Sequence, residues 1–327
     1  MEAGVVTQKK SSIKPRKHTG FFREIFVNRS LYLLTLPGIL YVLLNNYIPM
    51  FGIIIAFKKV RYGSSIFETY FKTSKWSGFK NFEFFLKTDY AYIITRNTVL
   101  YNIVFIFLGA ALAVALAITL NEVKNRRLAK LYQSVIILPH FLSWVIIGFV
   151  VYTLLNPSYG LINKSILPAL GMQPIDWYME PKYWPLIIPL THFWQSLGWG
   201  SIVYLASIAG ISAEYYEAAT IDGASKWQQI TKITVPLLKP MITTMILLSL
   251  GGIFHANFGL FYNVPRESGA LFNVTNVIDT YVYRALSNTG DIEMAAAAGL
   301  YQSVVGFSLV IITNAVVRKL EKDNALF

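Results

Sequence analysis

The chain has 327 residues; 54% are hydrophobic and only 14% are charged, against about 25% charged in an average soluble domain. A mean hydropathy of +0.47 leaves too little polar surface to cover one or two soluble domains, and it excludes a disordered, collagenous or disulfide-scaffold chain. Cysteine is absent, which removes disulfides, thiolate metal sites and cysteine nucleophiles. The net charge of +12 suits either nucleic acid or anionic lipid, and its placement decides between them.

A bilayer core takes about 20 apolar helical residues to cross. Six stretches free of Asp, Glu, Lys and Arg are long enough: Ser30–Phe57, Asn97–Asn121, Leu131–Asn163, Tyr183–Ala213, Pro240–Pro265 and Met294–Val317. They are apolar around most of the helix, as contact with lipid requires. Pro37-Gly38 and Pro49 with Gly52 interrupt the first. Asn156-Pro157-Ser158-Tyr159-Gly160 reads as a turn that ends the third near Leu155, followed by a short interfacial or re-entrant piece, Leu161–Leu170.

Six spans put both termini on one side. With the N-terminus inside, the inner segments (1–29, 122–130, 214–239 and 318–327) carry 17 Lys plus Arg. The outer segments (58–96, 164–182 and 266–293) carry 12, of which 8 lie in the first. The positive-inside bias favours this orientation, although Lys58, Lys59 and Arg61 count against it. The N-terminal tail holds seven basic residues between Lys9 and Arg29 and no long apolar core, so it is not read as a signal peptide. A basic tail beside anionic lipid accounts for most of the net charge without nucleic acid. The domain reading is therefore a tail at 1–29, a first span at 30–57, an extracytoplasmic loop at 58–96, a five-helix core at 97–317 and a C-terminal tail at 318–327. Trp76-Ser77-Gly78-Phe79-Lys80-Asn81-Phe82, within that loop, is expected at the outer interface.

Much chemistry is missing. No Gly-Lys pair exists, so there is no Walker A loop. Neither H-E-x-x-H nor G-x-S-x-G occurs. His18, His140, His192 and His255 stand far apart in sequence, which speaks against a metal site. The acidic residues fall in loops and tails, so a proton relay within the spans is not evident. We expect no catalytic residue, no metal and no cofactor on this chain, and any driving energy must come from another subunit.

Residues 212–240 read as helix, glycine break, helix. Ser212 can cap the first, with Glu214 and Glu217 near the positive end of its dipole. Gly223 can end it in a left-handed conformation. Ser225 with Gln228 forms a capping box for the second, and Pro236 and Pro240 mark the entry to the fifth span. Ala218 and Ala219 are small enough to let another surface approach the backbone. Tyr215, Tyr216, Ile221 and Trp227 carry apolar bulk that a solvated loop does not need. On residues alone, an amphipathic helix lying on the membrane fits equally well.

Glu217-Ala218-Ala219, three residues, Gly223, nine residues, then Ile233-Thr234-Val235-Pro236 resembles the EAA motif of permease subunits in bacterial ATP-binding-cassette (ABC) importers. The family form ends Ile-x-Leu-Pro, and Val235 replaces the Leu. Leu36-Pro37-Gly38, Tyr47-Ile48-Pro49-Met50-Phe51-Gly52, Leu138-Pro139-His140-Phe141-Leu142-Ser143-Trp144 and Ile278-Asp279-Thr280-Tyr281-Val282-Tyr283 are similar to the oligosaccharide and polysaccharide branch, which includes permeases for alginate and uronate oligosaccharides. The resemblance implies an all-α membrane protein with the six-helix type I importer permease fold. It implies carbohydrate import through a pore built with a second permease subunit, driven by two ATPase subunits that use ATP and Mg, with sugar delivered by an extracytoplasmic binding protein. Both termini would then be cytoplasmic, at the bacterial inner membrane. The loop 212–236 would couple to the ATPase through Glu217, Ala218, Ala219, Asp222, Gly223, Ile233 and Pro236.

Aromatic faces and amides suit sugars, so the substrate-path candidates are Trp194, Gln195 and Trp199 in the fourth span and His255 and Asn257 in the fifth. Each also fits a packing role: interfacial anchoring for Trp, interhelical bonding for the polar groups. Gly198, Gly200, Gly251 and Gly252 are expected to permit close helix packing. Arg266–Glu293 is a candidate contact for the binding protein. Two competing readings are a stand-alone secondary transporter, which lacks acidic residues in its spans, and a membrane enzyme, which lacks a catalytic pair. A third, a scaffold, leaves the spacing around Gly223 without a reason.

Overall fold

The computed structural model describes residues 27–60, 68–69, 74–83 and 88–320. The basic tail before residue 27, parts of the 58–96 loop and residues 321–327 lie outside the described residues. By internal contacts the chain divides into residues 1–53 and 54–327.

In the first unit, α1 (Arg29–Val42) carries no buried residue and contains Pro37. A π turn at Leu43–Tyr47 follows, and then a last helical turn with Pro49. Leu31, Leu33, Leu34, Tyr41 and Leu44 are exposed, and an apolar circumference of this kind matches a hydrocarbon surround.

The second unit opens with a small antiparallel pair, β1 (Lys58–Lys59) and β2 (Lys75–Trp76), in which Lys58 faces Trp76. Asn81 Nδ2 donates to the carbonyls of Ala56 and Lys58 at 2.9 Å each. Phe57 stacks on Trp76 with centroids 5.7 Å apart. Trp76 and Phe79 remain exposed.

The principal helices of the second unit are α2 (Tyr90–Glu122), α3 (Arg126–Ile137), α4 (Trp144–Leu155), α5 (Trp184–Ala209), α6 (Ala213–Ile221), α7 (Lys226–Leu250), α8 (Phe258–Asn263), α9 (Ile278–Arg284) and α10 (Ile292–Leu320). Among the described residues, four helices are long and apolar enough to cross a bilayer, or six if each of two bent pairs counts as one span. Three departures from the expected spans have clear causes.

The third run is broken. The helix that ends at Phe141 meets α4 at 98°. Leu142 is extended, and Ser143 caps α4 by accepting the N–H of Ile146. Pro139 has no N–H to continue the ladder. α3 itself is amphipathic, with Arg126, Arg127 and Lys130 at its start.

The fifth run is shifted. Its helix begins at Lys226, well before Pro240, and ends at Leu250. A π turn at Ile230–Thr234 precedes Pro236. The same arrangement recurs at Leu43–Tyr47 before Pro49 and at Ile162–Ile166 before Pro168. In each case the proline stands two residues after the π turn. Proline removes one N–H and its ring crowds the carbonyl four residues back; the wider turn relieves both while the helix continues. Beyond Leu250 the chain is irregular through Asn257, so His255 and Asn257 lie outside the fifth-span helix.

Thirdly, part of the expected outer loop is helical, because α2's first turn is capped by Thr88, whose hydroxyl accepts the N–H of Ala91. α10 extends slightly beyond its expected bounds at both ends.

Irregular backbone that is buried in protein needs partners for its polar groups, and α2 supplies them for the stretches outside the candidate spans. Asn97 Nδ2 donates to the carbonyls of Asn273 and Asn276. Thr98 Oγ1 accepts the N–H of Ile278 at 3.0 Å. Tyr101 donates to the Val274 carbonyl at 3.0 Å. Asn102 Nδ2 donates to the carbonyls of Ile253 and His255.

Small residues bring the helices together. A Cβ on Gly198 would lie 2.2 Å from the Ile136 carbonyl oxygen, so α5 meets α3 backbone to backbone. Gly251 faces Val310, and a Cβ on Gly306 would lie 3.1 Å from the Gly251 carbonyl, joining α7 to α10. Gly200 and Gly252 have ordinary space, so close packing there is not required.

Candidate functional site

The segment after α5 forms a braced elbow. Ser212 caps α6 by accepting the N–H of Glu214. At its end, Gly223 has φ +76°. The N–H of Ala224 reaches the Ala219 carbonyl at 2.8 Å, and that of Gly223 reaches Thr220 at 3.1 Å. This paired closure needs a left-handed residue, and glycine occupies it without steric cost. Ser225 and Gln228 exchange capping-box bonds at the start of α7. Gln229, buried, donates to Thr220 Oγ1 at 2.9 Å across the bend. Tyr216 and Thr234 share a hydroxyl bond at 2.9 Å. The elbow is thus rigid and presents a fixed outer face.

The elbow exposes apolar side chains: Ile221 is 87% exposed and Trp227 72% exposed, and Tyr215 is exposed as well. Glu217, Ala218, Asp222 and Gly223 are also exposed, and Ala219 is half-buried. Ile233 is half-buried and Pro236 exposed. At the foot of the elbow, Lys226 Nζ lies 3.4 Å from the Glu122 carboxylate; this exposed pair contributes little stability.

The substrate-path candidates fall into separate groups. Gln195 is buried and donates to the His140 carbonyl at 3.4 Å. Trp199 stacks on the His140 ring, with centroids 4.8 Å apart and planes 5° apart. Both therefore brace the break between α3 and α4. Trp199 also lines a cavity of ≈ 320 Å³ with Phe105, His192, Ser196, Tyr204 and Ser249. Trp194 is half-exposed on α5. His255 and Asn257 lie together beyond α7. His255 Nδ1 is 4.0 Å from Asp279 Oδ1, and Asn257 caps α8 by accepting the N–H of Leu260.

Sequence reasoning missed Asp279 and Gln302. Asp279 accepts from the N–H of Ala256 at 2.7 Å and from Gln302 Nε2 at 3.2 Å. Gln302 also donates to the Phe254 carbonyl at 2.6 Å. Burial raises the Asp279 carboxyl above its ordinary range, and the Ala256 N–H, His255 and Gln302 only partly offset this. A glycine pair in a span followed by a polar residue was the available signal for such a break. Among the described residues, no cluster of three or more His, Asp or Glu could hold a metal ion.

Residues 106–322 match the family described as the binding-protein-dependent transport system inner membrane component. The chain belongs to that family. Protein LplB of Bacillus subtilis (strain 168) is 32% identical over 294 residues, covering 90% of each chain. The polygalacturonan/rhamnogalacturonan transport system permease protein YteP of the same organism is 31% identical, covering 95% of this chain and 94% of its own. A chain in the crystal structure of a bacterial ABC transporter involved in the import of the acidic polysaccharide alginate superposes with a TM-score of 0.82. It is 30% identical, and the match covers 92% of this chain and 99% of that one. A chain of the alginate transporter in complex with an alginate pentasaccharide-bound periplasmic protein gives a TM-score of 0.81, at 30% identity. The fold is therefore that of an ABC-importer permease. This chain is a membrane transport component.

Proposed function

We propose that this chain is one of two different permease subunits lining the path of an ATP-driven importer for oligosaccharides or polysaccharide fragments. Two separate ATPase subunits bind and hydrolyse ATP with Mg, and an extracytoplasmic binding protein delivers the sugar. The complex sits in the bacterial inner membrane with both termini of this chain in the cytoplasm. Relatives named for polygalacturonan, rhamnogalacturonan and alginate transport support the substrate class.

The observation that carries this reading is the braced elbow around Gly223 with the exposed apolar side chains of Ile221 and Trp227. A solvated loop gains nothing from Ile221 and Trp227 in water, whereas a groove on a partner would bury them. Glu217 has no hydrogen bond or ion pair within the described residues and is available to a partner's donors. Ala218 and Ala219 let the partner approach the helix backbone. Closure of the ATPase dimer would push the elbow as a rigid body and reorient the spans. Trp194, Gln195, Trp199, His255 and Asn257 flank the path. Gln195 and Trp199 act on it through the α3–α4 break that they hold.

The test is co-purification of the complex, followed by ATPase assays with and without the loaded binding protein across a panel of oligosaccharides. Stimulation by one class identifies the cargo. A purified particle without any ATPase subunit, or transport by this chain alone under an ion gradient, overturns the reading.

A further inference from the structure

We propose that the cavity beside Arg266 is a subsite for a carboxylate-bearing ring of an acidic oligosaccharide, with Arg266 as the residue that reads the charge. This rests on the importer reading above and deepens it.

The cavity, of ≈ 250 Å³, lies between α4 and the end of α8 and is lined by Val145, Phe149, Tyr262, Asn263, Arg266 and Glu267. Its walls mix aromatic faces with an amide and charged groups, the composition a sugar ring needs. Arg266 and Glu267 both have left-handed backbones, with φ 55° and 54°. Two consecutive non-glycine residues there are strained, and such strain concentrates at binding sites.

The charges are unequally committed. Glu267 is held by Arg284 in a two-pronged pair at 2.9 and 3.1 Å, and Arg284 also contacts Asn276 and stacks over Phe272. Arg266 has no such partner. Its guanidinium lies 4.1 Å from the Tyr152 ring centroid and 5.5 Å from that of Phe149. Among the described residues none accepts a hydrogen bond from it. Stacking occupies the face of a guanidinium and leaves its N–H edge free, the edge that binds a carboxylate through two parallel bonds.

The site is also continuous with the sugar-path candidates. Asn257 caps the start of α8, and Arg266 follows three residues after its end. Between them Phe258 stacks on Tyr262 at 5.0 Å, and Tyr283 meets both edge-on at 4.9 and 5.3 Å. A row of aromatic faces leads from Asn257 to a free guanidinium. Neutral sugars require the row; only an anionic one requires Arg266.

The test uses the purified complex of permeases and ATPases, without binding protein, and trigalacturonate as probe. Equilibrium dialysis should show binding to the wild-type complex that weakens between about 20 and about 200 mM salt. Arg266→Gln should bind about tenfold more weakly and lose the salt dependence, as expected for one charge-assisted pair. Arg266→Lys, which keeps the charge, should bind more tightly than Arg266→Gln. Gel filtration of each variant complex confirms assembly. Wild-type complex that ignores trigalacturonate, or Arg266→Gln that binds it as wild type does, overturns the subsite. Binding-protein-dependent oligosaccharide uptake by wild-type proteoliposomes reads the importer assignment separately, so one can fail while the other stands.

Discussion

The carboxylate of Asp279 accepts the backbone N–H of Ala256 at 2.7 Å, tying α9 to the irregular stretch after α7. Gln302 of α10 and Asn102 of α2 bind the same stretch through the carbonyls of Phe254, Ile253 and His255. Three helices thus fix the position of His255 and Asn257. Asp279→Ala leaves the Ala256 N–H without its acceptor and the Gln302 amide with only the Phe254 carbonyl, at a cost of about 1–3 kcal/mol. Thermal unfolding of the complex in detergent should show a lower midpoint for Asp279→Ala than for Asp279→Asn, whose carbonyl still accepts.

The pH dependence of this tie has a definite sign. The folded-state pKa of Asp279 is raised by burial, so the folded protein favours the proton more than the unfolded chain does. Its contribution to stability is fully present below the ordinary carboxylate range and is lost as pH rises through the raised folded value. The difference in unfolding midpoint between wild type and Asp279→Asn should therefore shift in favour of wild type on acidification. A difference independent of pH would refute the assignment.

Gly198 is a steric test of the α5–α3 contact. Its added Cβ would lie 2.2 Å from a backbone oxygen, which has no rotamer by which to retreat. Gly198→Ala should cost about 1–3 kcal/mol through forced backbone displacement. Gly200→Ala, with its nearest neighbour at 3.9 Å, should unfold like wild type in the same melting assay.

Much of the elbow is legible from sequence because its signals are local. Ser212, Gly223, Ser225 and Gln228 each act on backbone within a few residues, and the caps form where those residue types place them. The breaks were less legible. An uncharged run from Leu131 to Asn163 says nothing of the 98° bend, which depends on Pro139 together with the Gln195–His140 contact from another helix. The π turns before Pro49, Pro168 and Pro236 keep helices going where proline rules predict ends. For the sugar path, aromatic and amide residue types mark candidates, but whether Gln195 faces cargo or braces a neighbour depends on long-range packing.

Gly223 also tests the elbow's geometry. Its φ of +76° strains any L-residue, so Gly223→Val should cost about 1–2 kcal/mol. The complex should assemble with reduced uptake, measured in proteoliposomes, and Gly223→Asn should be the milder change because Asn tolerates this region. Equal uptake by wild type and Gly223→Val would show that the bend is not needed.

Docking of a partner ATPase over exposed Ala218 is tested by ATP hydrolysis in the reconstituted complex carrying Ala218→Trp, with and without sugar-loaded binding protein. Ala218 is exposed, so the bulky side chain leaves the fold of this chain intact and obstructs only an approaching surface. Stimulation by the binding protein should disappear; stimulation equal to wild type would show that no partner docks there.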